Sequence, residues 1–266
     1  MNVPSVLLQI AESVKTRLRE RKVRLPESKL RTELASARAP RSFSQAFTGS
    51  GIRILAEIKY ASPSEGRIRD AREIAPLGVA QSYLRGGAVA LSVLTEQDHF
   101  GGSLSRLAEI RKALPEARLL LKDFVVEEYQ LLEARVAGAD AALLIVALLG
   151  ENRTLELLMA AQAMGLEALV EVHDEAELET AARIGARLIG VNNRNLKDMK
   201  VSLDVSRRLA PLAPEGSTLI SESGLRSGSE LRELTKLGYR GFLIGTSFMR
   251  ASDPGQALAE LLLEAR

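Results

Sequence analysis

From Arg53 to the end of the chain one alternation repeats: a short apolar run, then an amphipathic stretch of helical period. The runs are Arg53–Lys59, Ala88–Leu94, Arg118–Lys122, Ala141–Val146, Ala168–Val172, Leu188–Val191, Thr218–Ser221 and Gly241–Ile244. Between them lie stretches such as Leu104–Ala113, Glu127–Ala137, Thr154–Met164, Glu175–Ile184 and Ser229–Leu237. Short apolar runs joined by helical crossovers read as parallel strands buried on both faces. Glycine recurs between helix and next strand, at Gly86–Gly87, Gly138, Gly165, Gly185 and Gly238, where a helix C-cap often takes positive φ. An open doubly wound sheet uses about five or six strands, so eight runs predict closure. The expected class is α/β, a (β/α)8 TIM barrel.

The segment before the repeat reads differently. Val6 to Arg21 has helical periodicity, and Pro26 and Pro40 punctuate the stretch between it and the first apolar run. We expect one domain over residues 1–266, with a helical extension at 1–47 and the barrel at 48–266.

Composition narrows the chemistry. Lys and Arg total 36 against 34 for Asp and Glu, a net charge of +2. That balance points to no nucleic-acid or membrane surface and leaves room for a local basic pocket. Cysteine is absent and only two histidines occur, so thiolate chemistry is excluded and acid–base work falls to lysine and glutamate. Neither a thiolate nor a multi-histidine metal site is expected. The first twenty residues lack an apolar signal core, and no run approaches the ~18 apolar residues of a membrane span. The expected location is the cytoplasm, and the default assembly is a monomer.

In a barrel of this kind the reactive face lies at the C-terminal ends of the strands, and polar residues gather there. The first run ends in Glu57 and Lys59, which share a face because strand side chains repeat every two residues. Lys122 ends the third run, Glu171 is carried by the fifth, and Asn192 and Glu222 directly follow the sixth and seventh. The turns Glu222-Ser223-Gly224-Leu225 and Gly245-Thr246-Ser247 follow the last two runs, the places where this fold commonly holds a phosphate.

Several strings resemble those of indole-3-glycerol-phosphate synthases, in order and at compatible spacing. They begin at Ile54-Leu-Ala-Glu-Ile-Lys-Tyr-Ala-Ser-Pro-Ser64 with Gly66, Leu91-Ser-Val-Leu-Thr-Glu96 and Phe100-Gly-Gly-Ser103. They continue at Leu121-Lys-Asp-Phe124, Leu169-Val-Glu-Val-His173, Ile189-Gly-Val-Asn-Asn-Arg-Asn-Leu196 and Ile220-Ser-Glu-Ser-Gly224. The resemblance spans essentially the whole chain. It implies a phosphorylated small-molecule substrate, 1-(2-carboxyphenylamino)-1-deoxyribulose 5-phosphate, converted to indole-3-glycerol phosphate, CO2 and water, with no metal and no organic cofactor. Tyr60 departs from the pattern, standing where arginine is common, and Thr246 occupies a variable position of the phosphate loop.

That chemistry needs an acid on a ketone oxygen, an acid on a leaving hydroxyl and a base for a final proton. Lys122 is expected to protonate the carbonyl, and Lys59 to hold the carboxylate and assist the hydroxyl. Glu171 is expected as base, Glu57 to orient a lysine, and Asn192 and Glu222 to fix hydroxyls or the anilino nitrogen. A crowded or apolar pocket is expected to lower a lysine pKa towards neutrality. Ser62, Arg194, Ser223, Gly224, Gly245 and Thr246 are the phosphate candidates, and Phe100 and Phe124 the aromatic ones. Arg194 has a second reading as a carboxylate partner, Ser64 and His173 are expected to support, and Ser62–Ile68 to act as a lid. A Schiff-base aldolase using Lys122, or a non-catalytic sugar-phosphate-binding barrel, are the alternatives.

Overall fold

All eight apolar runs are strands in a computed structural model that describes residues 5–266. We number them β1 (Ile54–Ile58), β2 (Ala90–Leu94), β3 (Leu119–Lys122), β4 (Ala141–Ile145), β5 (Glu167–Val172), β6 (Leu188–Asn192), β7 (Thr218–Glu222) and β8 (Gly241–Ile244). Each pairs in parallel with its sequence neighbours, and β8 closes on β1 through the Ile54–Phe242 register. Ladder closure leaves no free edge. Residues 1–4 of the expected extension lie outside the described residues.

Alternation along the strands creates two faces with different fates. Outward side chains such as Ile54, Ala56, Val170 and Ile189 pack in the layer beneath the helices. Inward side chains are apolar low in the barrel, with Leu55, Leu120, Leu143, Leu169, Ile220 and Leu243 in one cluster. Two residues further along, the same faces carry Glu57, Lys122, Glu171 and Glu222, all at strand ends. A filled apolar plug thus supports a polar mouth.

The helices match the amphipathic stretches closely, with Leu104–Ala113 and Glu175–Arg183 as examples. One starts earlier than expected: Val146–Ala163 leaves β4 directly and breaks at Gly150, whose φ of 67° and ψ of 175° are open to glycine alone. Pro26 does not end the helical extension; it caps a second helix, Glu27–Ser36, after α1 (Ser5–Arg24).

The extension serves both ends of the barrel. At the bottom, Glu167 at the start of β5 accepts from Ser42 Oγ, Phe43 N and Ser44 N at 2.9, 2.8 and 3.0 Å. Phe43 and Phe47 seat there in the interior cluster, and Phe47 occupies the space a side chain at Gly241 would need. At the top, α1 lays Ile10, Val14 and Leu18 against Leu30, Tyr129 and Leu132. Arg21 pairs with Glu133 at 3.1 Å and Arg17 with Asp98. Among the described residues no helix is long and apolar enough to cross a membrane.

Candidate active site

A cavity of about 490 Å³ opens at the C-terminal end of the barrel, within the size range of small-molecule sites. Every residue singled out for function lines it: Glu57, Lys59, Ser62, Phe100, Lys122, Phe124, Glu171, Asn192, Arg194, Glu222, Ser223, Gly224, Gly245 and Thr246.

Its centre is a buried charge cluster drawn from four strands. Lys122 Nζ lies 3.0 Å from Glu171 Oε2 and 2.6 Å from Glu222 Oε2. Lys59 Nζ sits 2.8 Å from Glu57 Oε1. Glu222 Oε1 has no partner among the described residues; it packs over Gly190 of β6, where any side chain would collide with it. A glycine inside β6 is what lets this carboxylate stand upright in the barrel.

The electrostatics correct one expectation. Burial disfavours the Lys122 ammonium, but the carboxylates of Glu171, Glu222 and Glu57 outweigh it and hold its pKa above the ordinary range. The expected lowering weighs only the lysines; the acids facing them come from β5 and β7, distant in sequence. Burial also acts on Glu222, raising its pKa to about 7 despite Lys122, with Glu171 adding repulsion. Glu171 moves the other way: burial opposes ionisation, yet Lys122 and His173 keep it well below the usual carboxylate range. Two acids sharing one cation divide in this way, one held ionised and the other poised to carry a proton.

His173 stands behind Glu171. Its Nδ1 is 3.0 Å from Glu177 Oε2, and its Nε2 is 3.3 Å from Glu171 Oε1 but off the line of a hydrogen bond. Burial lowers its pKa, but the two glutamates prevail and raise it from 6.5 to about 10. Because the folded-state value exceeds the unfolded one, the stabilisation is complete below about pH 6.5 and disappears as pH rises through about 10. The wild-type melting temperature should therefore fall across that window, and the fall should be shallower in His173→Gln. Parallel curves from calorimetry of both proteins would remove His173 as the source.

One wall is aromatic and apolar. The Phe100 and Phe124 rings lie 5.8 Å apart, and Leu143, Ile145 and, from α1, Leu7 and Ile10 continue the surface. Leu143 and Ile145 are not among the residues expected from sequence, though their spacing of two at the end of β4 is the available signal. The contribution of α1 has no local signal, because it depends on where a distant segment docks. Phe124 is fixed through Asp123, whose Oδ1 accepts its N–H at 2.8 Å and whose Oδ2 receives Thr95 Oγ1 at 2.5 Å.

The opposite wall is built from turns. Ser223 and Gly224 follow β7 with φ of 68° and 82°. Gly224 is required by that conformation and by Val201, which packs where a side chain would go. Gly245 approaches Glu57 so closely that a Cβ would lie 2.8 Å from Oε1. Thr246 opens the helix Thr246–Arg250. Among the described residues no acceptor takes the N–H of Ser223, Gly224, Gly245 or Thr246. Arg194 lines this side, donating from Nη1 to the Met199 carbonyl at 3.0 Å. It has no carboxylate partner among the described residues, contrary to its second reading.

The loop after β1 folds as a short antiparallel pair, Ala61–Ser62 with Gly66–Arg67. Ser62 Oγ accepts from Glu65 N at 3.2 Å, with Ser64 Oγ 3.5 Å away. Glu65 reaches Arg250 at 2.6 Å. Both border the cavity with Arg226, and none of the three is expected from sequence. Tyr60 points away, buried against Arg106 with its hydroxyl on Ile74 O at 2.8 Å. Among the described residues no cluster of three or more His, Asp or Glu is placed to hold a metal ion.

Comparison with known proteins adds an independent line. Residues 7–261 match the family described as indole-3-glycerol phosphate synthase. The enzyme of that name from Carboxydothermus hydrogenoformans is 42% identical over 264 residues, covering 96% of this chain and 99% of the relative. Indole-3-glycerol phosphate synthase 2 of Streptomyces coelicolor is 45% identical over 254 residues, covering 95% and 96%. Among solved structures, 3-hexulose-6-phosphate synthase from Salmonella typhimurium superposes with a TM-score of 0.63 at 14% identity, covering 81% of this chain and all of that one. That likeness is of fold alone.

Proposed function

The chain belongs to the indole-3-glycerol phosphate synthase family, and from that premise we propose how its own residues carry the reaction. The activity is that of a carboxy-lyase: 1-(2-carboxyphenylamino)-1-deoxyribulose 5-phosphate closes to an indole, with loss of CO2 and water. The observation that carries the assignment of roles is Lys122, a buried ammonium between two glutamates at the base of a cavity with one aromatic wall and one wall of open backbone amides.

The phosphate is assigned to the turns Ser223–Gly224 and Gly245–Thr246, with Ser62 and Arg194 closing round it. Amides without an internal acceptor and a helix N-terminus suit an anion. The anthranilate ring then lies toward Phe100 and Phe124, and its carboxylate toward Lys59. In ring closure an aromatic π pair forms the carbon–carbon bond while the ketone π pair moves to oxygen and takes a proton from Lys122. A lysine whose pKa is raised remains fully protonated, and a developing alkoxide is basic enough to accept from it. The bond to the carboxylate breaks next, and its electron pair restores the aromatic ring as CO2 leaves. The hydroxyl then departs with a proton from Lys59, pushed by the nitrogen lone pair, and Glu171 removes the last carbon-bound proton. Glu57 holds Lys59, and Asn192 and Glu222 hold substrate hydroxyls or the anilino nitrogen.

A Schiff-base mechanism at Lys122 fits this site poorly, because an amine must be neutral to attack a carbonyl and the surrounding glutamates hold Lys122 charged. A steady-state assay with the carboxyphenylamino substrate, in the presence of a chelator, should show the growth of indole fluorescence. Substrate binding without product would overturn this reading.

A further inference from the structure

Asn193 follows the cavity-lining Asn192 but points away from the cavity and is 1% exposed. Its amide is fully engaged. Nδ2 donates to Glu222 O at 2.9 Å, Ser221 Oγ at 3.0 Å and Ser223 O at 3.1 Å. Oδ1 accepts from Ser206 N at 3.0 Å, and this backbone donor fixes which way the amide faces. Its backbone N–H also donates to Glu222 O, at 2.9 Å. Ser206 and Ser221 share a hydroxyl contact of 2.8 Å, and Tyr239 donates to Ser206 O at 2.9 Å. One side chain therefore ties the end of β6, the turn after β7 and the helix Asp204–Leu209 together.

That turn contains Ser223 at a φ of 68°, a left-handed conformation that costs a residue with a Cβ and persists only where its surroundings enforce it. The group that holds the Ser223 carbonyl is Asn193. We propose that Asn193 is a positioning residue for the phosphate: it never touches substrate, but it holds Ser223 left-handed and so sets the amides of Ser223 and Gly224 for an anion. The same residue fixes the start of the loop that carries Arg194, so both sides of the phosphate share one anchor. The proposal rests on the phosphate assignment made above.

The test combines three substitutions, with melting temperatures measured first and kinetics run well below them. Asn193→Ala should raise KM and weaken inhibition by inorganic phosphate by about tenfold or more, as expected for losing a buried hydrogen bond that shapes a site, with a smaller change in kcat. Glycine adopts positive φ without strain, so Ser223→Gly in the Asn193→Ala background should recover much of the lost phosphate affinity. Thr246→Asp, an acid a helix N-terminus tolerates, should abolish phosphate inhibition if the anion lies there. Unchanged inhibition in Thr246→Asp overturns the phosphate assignment itself. Loss in Thr246→Asp but wild-type phosphate affinity in a folded Asn193→Ala overturns only the positioning role. A fall in melting temperature and kcat with KM unmoved likewise reduces Asn193 to a structural residue. If Asn193→Ala does not fold, Asn193→Ser, which keeps a donor, is put through the same comparison and decides by the same outcomes.

Discussion

Replacing Lys122 by methionine should lower kcat by ~10² or more, the usual worth of a positioned general acid, while leaving a folded protein. The side chains are similar in length, but removing the cation from a buried cluster costs about 3–5 kcal/mol, so the melting temperature should fall and the kinetics are run well below it. The variant leaves Glu171 and Glu222 facing each other without a cation, so both should take up protons more readily than in the wild type. Arginine separates the two tasks that Lys122 performs. A guanidinium keeps the positive charge between the glutamates but holds its protons too tightly to deliver one. Lys122→Arg should therefore restore the ionisation of the glutamates, read by titration, without restoring turnover. Recovery of kcat to within a few-fold of wild type in Lys122→Arg would mean that charge alone suffices, and Lys122 would lose the role of acid.

This test turns on a feature that the sequence carries only in part. That Lys122, Glu171 and Glu222 end strands is legible from period-two alternation, and closure of eight runs places strand ends around one mouth. Which acids face which lysine depends on barrel stagger, since the Lys122 partners lie on β5 and β7 across the interior rather than on adjacent strands. The sign of the Lys122 shift is hidden for that reason. The glycine-marked joints are legible because a helix C-cap is a local requirement: Gly87 and Gly138 do take φ of 105° and 92°. The double use of the N-terminal extension is not legible, because Phe43 and Phe47 at the bottom and Leu7 and Ile10 at the top are ordinary hydrophobes until the barrel they dock on exists. Asn193 is hidden differently. It stands in the same motif as Asn192, and although alternation sets it on the opposite side, its partners Ser206, Ser221 and Ser223 are brought to it only by the fold.

Glu171→Gln should cost a comparable ~10² in turnover, and it can show where in the reaction the carboxylate acts. The amide preserves shape and can still accept from Lys122, but it cannot take a proton. If Glu171 serves only in the final deprotonation, ring closure and decarboxylation continue in the variant. A single turnover should then release CO2 before indole fluorescence appears, and the indoline intermediate should accumulate. Loss of both signals together would place Glu171 at or before carbon–carbon bond formation, acting through the charge of Lys122, 3.0 Å away. The geometry allows the glutamate to act at both points, because one oxygen faces Lys122 and the other faces His173. Proton acceptance by Glu171 makes its charge disappear, and the imidazolium behind it opposes that step less if His173 releases a proton in turn to Glu177, 3.0 Å from Nδ1. His173→Gln removes that opposing charge altogether, so Glu171 should accept the proton at least as readily as in the wild type. Its single-turnover trace should show CO2 and indole both without delay; equal slowing of both would confine His173 to holding Glu171 in place.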